Sequence, residues 1–380
     1  MPVRATKRGT DRTRLARDCD VLICGASFAG LAVARELEGS GARVLMIDRY
    51  EIGERQTSAC AAPTDWLGNL SLDASIRQTF DELVIHTEQD TFRYRLPWTF
   101  STFDYRQLCQ LLRDQSPSTE FETAKVESIV SPAGHRDHRV ETDRGELRSP
   151  LVVDGLGWRR VLAPNSGVQP PKARLSRGLE VHPHSSGEDL EIWIDRRYIR
   201  AGYAWSFPAG DEVRVGVGSF EPRDHVKQGT LALADDLDVD AVRYQGNWIP
   251  HKLRPAVEDG VFFAGDSAGH CLPLTAEGIR TALYFGIALG RELRLVTDGR
   301  ISREQALERY GAFSAQHSWQ FTWMLNAQHA VGRLNGRPLL NRVVGQMGRQ
   351  KLIDWAFDHY LSIAHPSFAL AGHSGRPARV

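Results

Sequence analysis

Several things are missing from this sequence, and each absence narrows what the chain can be. Its 47 Lys and Arg are matched by 47 Asp and Glu, so it has no surplus positive charge with which to cover a nucleic acid. No apolar run approaches the ~18 residues of a membrane span. The first 17 residues contain Arg4, Lys7, Arg8, Arg12, Arg14 and Arg17 but no apolar stretch, which reads as a flexible basic tail rather than a secretory signal. The five cysteines are scattered at 19, 24, 60, 109 and 271 with no C-x-x-C, the pattern of reduced thiols in a cytoplasmic protein. The pairs His135/His138 and His182/His184 lack neighbouring ligands, so no metal site is expected. No lysine stands between Lys7 and Lys125, and neither a repeat nor a low-complexity linker interrupts the chain. What remains is ample apolar content: 42% hydrophobic residues can bury a large core.

The most informative stretch runs from Asp20 to Asp48. Val21-Leu22-Ile23-Cys24 has the length and branching of a buried strand. Gly25-Ala26-Ser27-Phe28-Ala29-Gly30 is a glycine-rich turn, after which Leu31, Ala34 and Leu37 recur at helical spacing until Gly39-Ser40-Gly41. Val44-Leu45-Met46-Ile47 is a second buried strand, closed by Asp48. Strand, turn, helix, strand and acid in this register form a dinucleotide-binding βαβ unit. Gly25 permits the tight turn and Gly30 the close packing of the helix, whose N-terminus faces a pyrophosphate. Ser27 stands where a middle glycine is usual and offers a hydroxyl to a phosphate oxygen. Asp48 is placed to accept from a ribose hydroxyl, with Arg49 beside it.

Further along, Arg49 to Leu67 reads as a long loop, and long loops after such strands tend to be functional. Thr91–Leu96 and Trp98–Phe100 look like strands of a second sheet. Tyr105–Leu112 is a short amphipathic helix, 121–130 with 138–142 a small β-meander, and Leu151–Asp154 another buried strand. Glu191–Ile194, Tyr203–Pro208 and Val213–Gly218 alternate as strands, and a polar helix follows near 222–236. Gly260–Asp266 returns to core character. Ile279, Leu283, Gly286, Leu289 and Leu293 share one helical face, and 303–364 is helical.

Three separated motifs then coincide: the unit at 21–48, Asp154-Gly155 after a strand, and Ala264-Gly265-Asp266-Ser267-Ala268-Gly269 followed by Pro273 and Glu277-Gly278-Ile279. Together they resemble FAD-dependent oxidoreductases of the p-hydroxybenzoate hydroxylase type. The resemblance covers residues 18–295 and implies FAD as cofactor. It assigns Asp266 to the ribityl or pyrophosphate region, Arg106 to the phosphate charge, and the helix start at Gly278-Ile279 to the flavin pyrimidine edge; glycine is more usual where Ala276 stands. Within that fold, Tyr203-x-Trp205-x-Phe207-Pro208 resembles the Y-x-W-x-F-P motif of geranylgeranyl reductases, which saturate isoprenoid double bonds with reduced FAD. Those enzymes also carry a cysteine in the loop after the second strand, where Cys60 stands here.

The implied fold is α/β: a discontinuous Rossmann-like FAD-binding domain (18–68, 105–160, 253–300) interleaved with a mixed β-sheet substrate domain (69–104, 161–252) and a C-terminal helical region (301–380). The implied activity is reduction of an apolar alkene, with Cys60, Tyr203 and Trp205 at the reacting centre, Phe207 in the substrate channel, and Cys60 or Tyr203 near the proton source. The electron donor is expected to be NAD(P)H, bound transiently, or a protein such as ferredoxin, because no second dinucleotide motif exists. The substrate would be an apolar small molecule or lipid, met in the cytoplasm or at the inner face of a membrane. Oxygenation is the competing chemistry on this fold. Halogenases need a lysine in a region where this chain has none. Aromatic hydroxylases prefer D-G-x-x-S-x-V-R, whereas Asp154-Gly155 is followed here by Leu156-Gly157-Trp158-Arg159-Arg160. A non-catalytic flavoprotein is the third class.

Overall fold

The computed structural model describes residues 13–370, apart from 57, 131–136, 164–174, 336–337 and 348–349. Most of the expected basic tail therefore lies outside the described residues, as does His135. Arg17–Asp18 (β1) is a short edge strand. Val21–Cys24 (β2) is wholly buried, and Phe28–Leu37 (α1) and Val44–Asp48 (β3) complete the βαβ unit, with β2 and β3 parallel from Val21↔Val44 to Cys24↔Ile47. The chain leaves β2 through Gly25 at φ +111°, where a Cβ would lie 2.3 Å from the Gly155 carbonyl oxygen. A Cβ on Gly30 would lie 1.9 Å from the oxygen of Gly25. Neither position admits a side chain, so α1 begins directly against the turn.

The expected loop 49–67 is shorter than its sequence suggests, because it holds Ala61–Pro63 (β4) and the start of Thr64–Asn69 (α2). Ile76–Thr87 (β5) and Thr91–Phe103 (β6) then form one long hairpin. Pairing runs Phe80↔Phe100 and resumes at Glu82↔Arg95, so Leu96–Thr99 bulge opposite Asp81. Pro97 sits in this bulge, where its missing N–H costs no ladder bond. Tyr105–Asp114 (α3) is capped by Asp104, which accepts from the Gln107 N–H.

The expected meander at 121–142 divides in two. Glu120–Thr123 (β7) pairs parallel with β3, whereas Val126–Val130 (β8), His138–Thr142 (β9) and Gly145–Ser149 (β10) join β1 in a four-stranded sheet. Leu151–Asp154 (β11) returns beside β2.

Leu175–Val181 (β12), Leu190–Ile194 (β13), Gly202–Pro208 (β14) and Val213–Ser219 (β15) follow, then Val226–Asp236 (α4) and Gln245–Pro250 (β16). They build an eight-stranded sheet in the order β16-β12-β15-β14-β13-β5-β6-β4. Val257–Glu258 (β17) and Val261–Phe263 (β18) complete a six-stranded sheet, β17-β18-β11-β2-β3-β7. Ile279–Thr297 (α5) lies on α1, with a Cβ at Gly286 only 2.6 Å from the Ala29 oxygen. Arg303–Ala315 (α6), Ser318–Leu334 (α7), Pro338–Met347 (α8) and Gln350–Ser362 (α9) close the chain. Among the described residues no helix is long and apolar enough to cross a membrane.

Candidate active site

A cavity of about 790 Å³ opens where the carboxyl ends of the six-stranded sheet meet one face of the eight-stranded sheet. Its polar end is built on α1. Ser27 adopts extended geometry as the N-cap, but its side chain caps no backbone N–H, and the first turn carries no acid. The free N–H groups and positive end of α1 therefore face the cavity through Ala26–Ala29. The Ser27 hydroxyl lies 3.2 Å from the Tyr105 hydroxyl.

Asp48 accepts from the N–H groups of Ala26 (2.9 Å) and Tyr50 (3.1 Å), tying the end of β3 to the glycine turn. Burial pushes its pKa up, against the pull of those N–H groups. Asp48 and Arg49 both line the cavity. Asp154 does not. Fully buried behind the wall, it accepts from Leu156 N–H (2.9 Å), Leu162 N–H (2.8 Å) and the Ser267 hydroxyl (2.6 Å). It thereby fixes the turn whose Gly155–Arg159 face the cavity.

Gly265, at φ +63°, brings the Gly265–Asp266 turn against α1, where an added Cβ would lie 3.2 Å from the Ala29 Cβ. Asp266 lines the cavity, and among the described residues no donor reaches its carboxylate. Burial raises its pKa to about 6, offset in part by Arg254. The following loop is strained, with Leu274 at φ +69° and Ala276 at φ +52°. The left-handed geometry at Ala276 explains why glycine suits that position. Gly278 then serves as N-cap of α5, and it and Ile279 line the cavity.

Arg106 stands apart from this group. It is exposed on the first turn of α3, outside the lining, and its backbone covers Gly53. The cationic side chains that do line the cavity include Arg49, Arg55, Lys125, Arg159 and Arg177.

The other end is apolar. Tyr203, Trp205 and Phe207 project from one face of β14, with successive ring centroids 6.0 and 6.4 Å apart. The Trp205 indole lies over Gly216, where a Cβ would come within 2.3 Å of the ring, and its N–H donates to Glu180 (3.2 Å). The Tyr203 hydroxyl donates to the Thr275 carbonyl (2.7 Å), joining the aromatic strand to the strained loop. Burial pushes its pKa up. Leu83, Leu96, Ile192 and Phe357 continue the apolar wall.

Cys60 lies between the two ends. Fully buried, at φ +55°, it directs its thiol to the Ser58 carbonyl (3.1 Å) while Arg214 donates to its own carbonyl (3.2 Å). Burial drives the thiol pKa well above its ordinary value, so the sulfur is a neutral S–H. Sequence reasoning passed over Glu180 and Gln245 in the same wall. The signal available was Glu180-x-His182, two titratable residues at alternate positions at the end of β12.

These features suit a flavin dinucleotide. An uncapped helix N-terminus, an acceptor carboxylate without a donor, and a turn whose Gly25 and Gly30 leave no room for side chains make a cradle for a pyrophosphate and its hydroxylated linker.

Comparison with known proteins agrees. Residues 20–202 match the lycopene cyclase protein family. Digeranylgeranylglycerophospholipid reductase 3 of Methanosphaera stadtmanae is 24% identical over 331 residues, covering 79% of this chain and 83% of that protein. The structure of a geranylgeranyl bacteriochlorophyll reductase-like protein from Thermoplasma acidophilum superposes with TM-score 0.78 at 15% identity, covering 94% of this chain and 98% of that one. PqsL, a probable FAD-dependent monooxygenase from Pseudomonas aeruginosa, does so with TM-score 0.64 at 18% identity, over 90% and 100%.

The chain is thus similar to geranylgeranyl-type reductases and has the fold of FAD-binding oxidoreductases. A reduced flavin held in this cradle would supply a hydride. The residues that would hold that cofactor are those of α1, the Asp266 turn and the start of α5, which leave the apolar half of the cavity open.

Proposed function

We propose that this protein saturates C=C bonds of an apolar isoprenoid or polyprenyl substrate, with hydride from reduced FAD. The observation that carries the proposal is an aromatic and aliphatic chamber continuous with the flavin cradle, with the neutral thiol of Cys60 where they meet. An unactivated alkene offers few polar handles, so positioning by the walls must supply most of the selectivity. Trp205 and Phe207 hold the chain. Tyr203 fixes the loop through Thr275. Cys60 donates the proton for the second carbon, or orders the water that does. Asp48 and Arg49 serve the adenosine end of FAD and Asp266 the linker, while Arg106, outside the cavity, takes no part.

The flavin is reduced by NAD(P)H bound transiently at its face, or by a ferredoxin-like protein. The protein works in the cytoplasm, at the inner face of a membrane that holds its lipid. The C-terminal helices support that placement: Trp319 (72% exposed), Trp323 (56%) and Trp355 (58%) are exposed on them, as are Leu339, Val343 and Leu352. The same stretch carries Arg333, Arg337, Arg342, Arg349 and Lys351 against only Asp354 and Asp358, a balance suited to anionic headgroups.

The test is product analysis. Anaerobic protein with dithionite and geranylgeranyl diphosphate, or an ether lipid bearing geranylgeranyl chains, should give products heavier by pairs of hydrogens. Oxygen-dependent hydroxylated products would instead assign the monooxygenase chemistry open to this fold, and no product with either substrate would leave the non-catalytic class.

A further inference from the structure

Alkene reduction consumes a proton as well as a hydride at every turnover, and an apolar chamber closed by lipid excludes the water that would bring one. Three buried or half-buried side chains nevertheless run from the cavity wall toward solvent. Glu180 lines the cavity, with its side chain only 4% exposed. One of its carboxylate oxygens accepts from His182 Nε2 (2.9 Å) and from the Gln245 amide (2.8 Å), the other from Trp205. His182 is 8% exposed, and its Nδ1 lies 4.0 Å from Glu212, within reach of it through a single exchanging water. Glu212 is 19% exposed and so reaches bulk water.

The surroundings hold this array in place. Arg214 from β15 donates to Glu212 (3.0 Å), and Arg243, ahead of β16, pairs with Glu212 and donates to the His182 carbonyl (2.5 Å). Gln245 also donates to the Ser58 carbonyl (3.3 Å), the same oxygen that receives the Cys60 thiol. Two carboxylates, two guanidinium groups and an amide therefore face His182 or its immediate partners. A core that needed only an anchor for the Trp205 N–H could use a carbonyl oxygen. It would not need a histidine between two carboxylates.

We propose that Glu212, His182 and Glu180 form a proton relay from the surface to the reacting end of the cavity. The inference rests on the reductase reading above. In each cycle one alkene carbon takes the hydride and the other takes the Cys60 thiol proton. The resulting thiolate, facing Arg214, takes a proton from the Glu180 carboxyl. Glu180 recovers it from the His182 imidazolium, and His182 from water at Glu212. The sum is one hydride from FAD and one proton from solvent added across the double bond. Glu180 is the member that touches the cavity; His182 and Glu212 act through it.

The test has two arms, both on the FAD-loaded protein. In the first, carried out without substrate, a caged acid releases protons and Glu180 is followed by its infrared carboxyl band, identified by its loss in Glu180→Gln. That band should rise at least tenfold more slowly in His182→Gln, at an unchanged frequency, and equal rates in the two proteins would overturn the relay. In the second, Glu180→Gln and His182→Gln should lower kcat at least tenfold with KM and flavin content within a factor of two. They should also show a flatter dependence of kcat on pH than the parent. Formate should restore turnover to Glu180→Ala, which a purely structural role would not allow. Variants with parental kcat and pH profile would also overturn the proposal. A parent protein that reduces no alkene yet keeps the infrared response would remove the reductase reading and leave the relay standing.

Discussion

Asp266 shows how a single residue can be unfavourable for the empty protein and useful for the loaded one. Its pKa rises from an ordinary 3.8 to about 6 because burial penalises the charged form more than Arg254 relieves it. A raised folded-state value means that the stability tied to the protonated carboxyl is complete below about pH 4 and lost as pH rises through 6. At pH 7.5 the flavin-free protein should therefore be less stable than Asp266→Asn by roughly 3 kcal/mol, two pKa units' worth. Denaturant titration should show that gap closing by pH 4, while the variant binds FAD more weakly. A gap independent of pH would mean that Asp266 is already satisfied. Ala276 makes the complementary case. Its left-handed backbone should make Ala276→Gly more stable by about 0.5–1 kcal/mol, net of glycine's greater chain entropy. Lower stability in that variant would show that the methyl group packs.

At the scale of elements, the start of α5 is held to α9 by a buried ionic cluster. Arg280 makes a two-pronged pair with Glu277 (2.7 Å each) and donates to the Leu361 carbonyl (2.9 Å), while Tyr360 bonds to Glu277. Arg280→Met leaves Glu277 buried and unpaired and should cost about 3–5 kcal/mol, with a smaller loss once Glu277→Gln is added. Additive losses in the double variant would contradict the pairing.

The βαβ unit was legible in the sequence because its strands are short, apolar and buried on both faces, and because its glycines lie close together in the chain. β5 was not, since its half-exposed residues blur the alternation. Pro97 looked like the end of a strand, whereas it occupies a bulge within one. β7 pairs with β3 across more than seventy residues of chain, which no local pattern reveals. The glycines, Asp48, Asp266 and the aromatic triplet could be read from motifs. Glu180 escaped, and His182 was weighed only as a metal ligand, because polar residues on a strand ordinarily mark a solvent face, and here Glu180 faces the cavity instead.

At the scale of the whole molecule, helices α1, α3, α5, α7, α8 and α9 all contribute to the wall of one chamber, and the exposed tryptophans sit on two of them, α7 and α9. Replacing Trp319, Trp323 and Trp355 together with alanine should reduce sedimentation with vesicles containing phosphatidylserine severalfold and leave flavin content unchanged. Equal sedimentation would separate the exposed aromatic face from any membrane. Inside the chamber, Trp205→Ala should slow alkene turnover without loss of flavin. Cys60→Ala should slow it at least tenfold, about 1.4 kcal/mol in barrier, and turnover within a factor of two of the parent would return the thiol to a packing role.

The central claim is that the chamber brings an alkene to reduced FAD, and anaerobic single-turnover absorbance tests it most directly. The flavin is photoreduced in the absence of oxygen and mixed with geranylgeranyl diphosphate or the geranylgeranyl ether lipid. The account predicts return of the oxidised flavin spectrum in step with loss of one double bond, more slowly in Trp205→Ala. Flavin that stays reduced until oxygen is admitted, with the alkene intact, would contradict it.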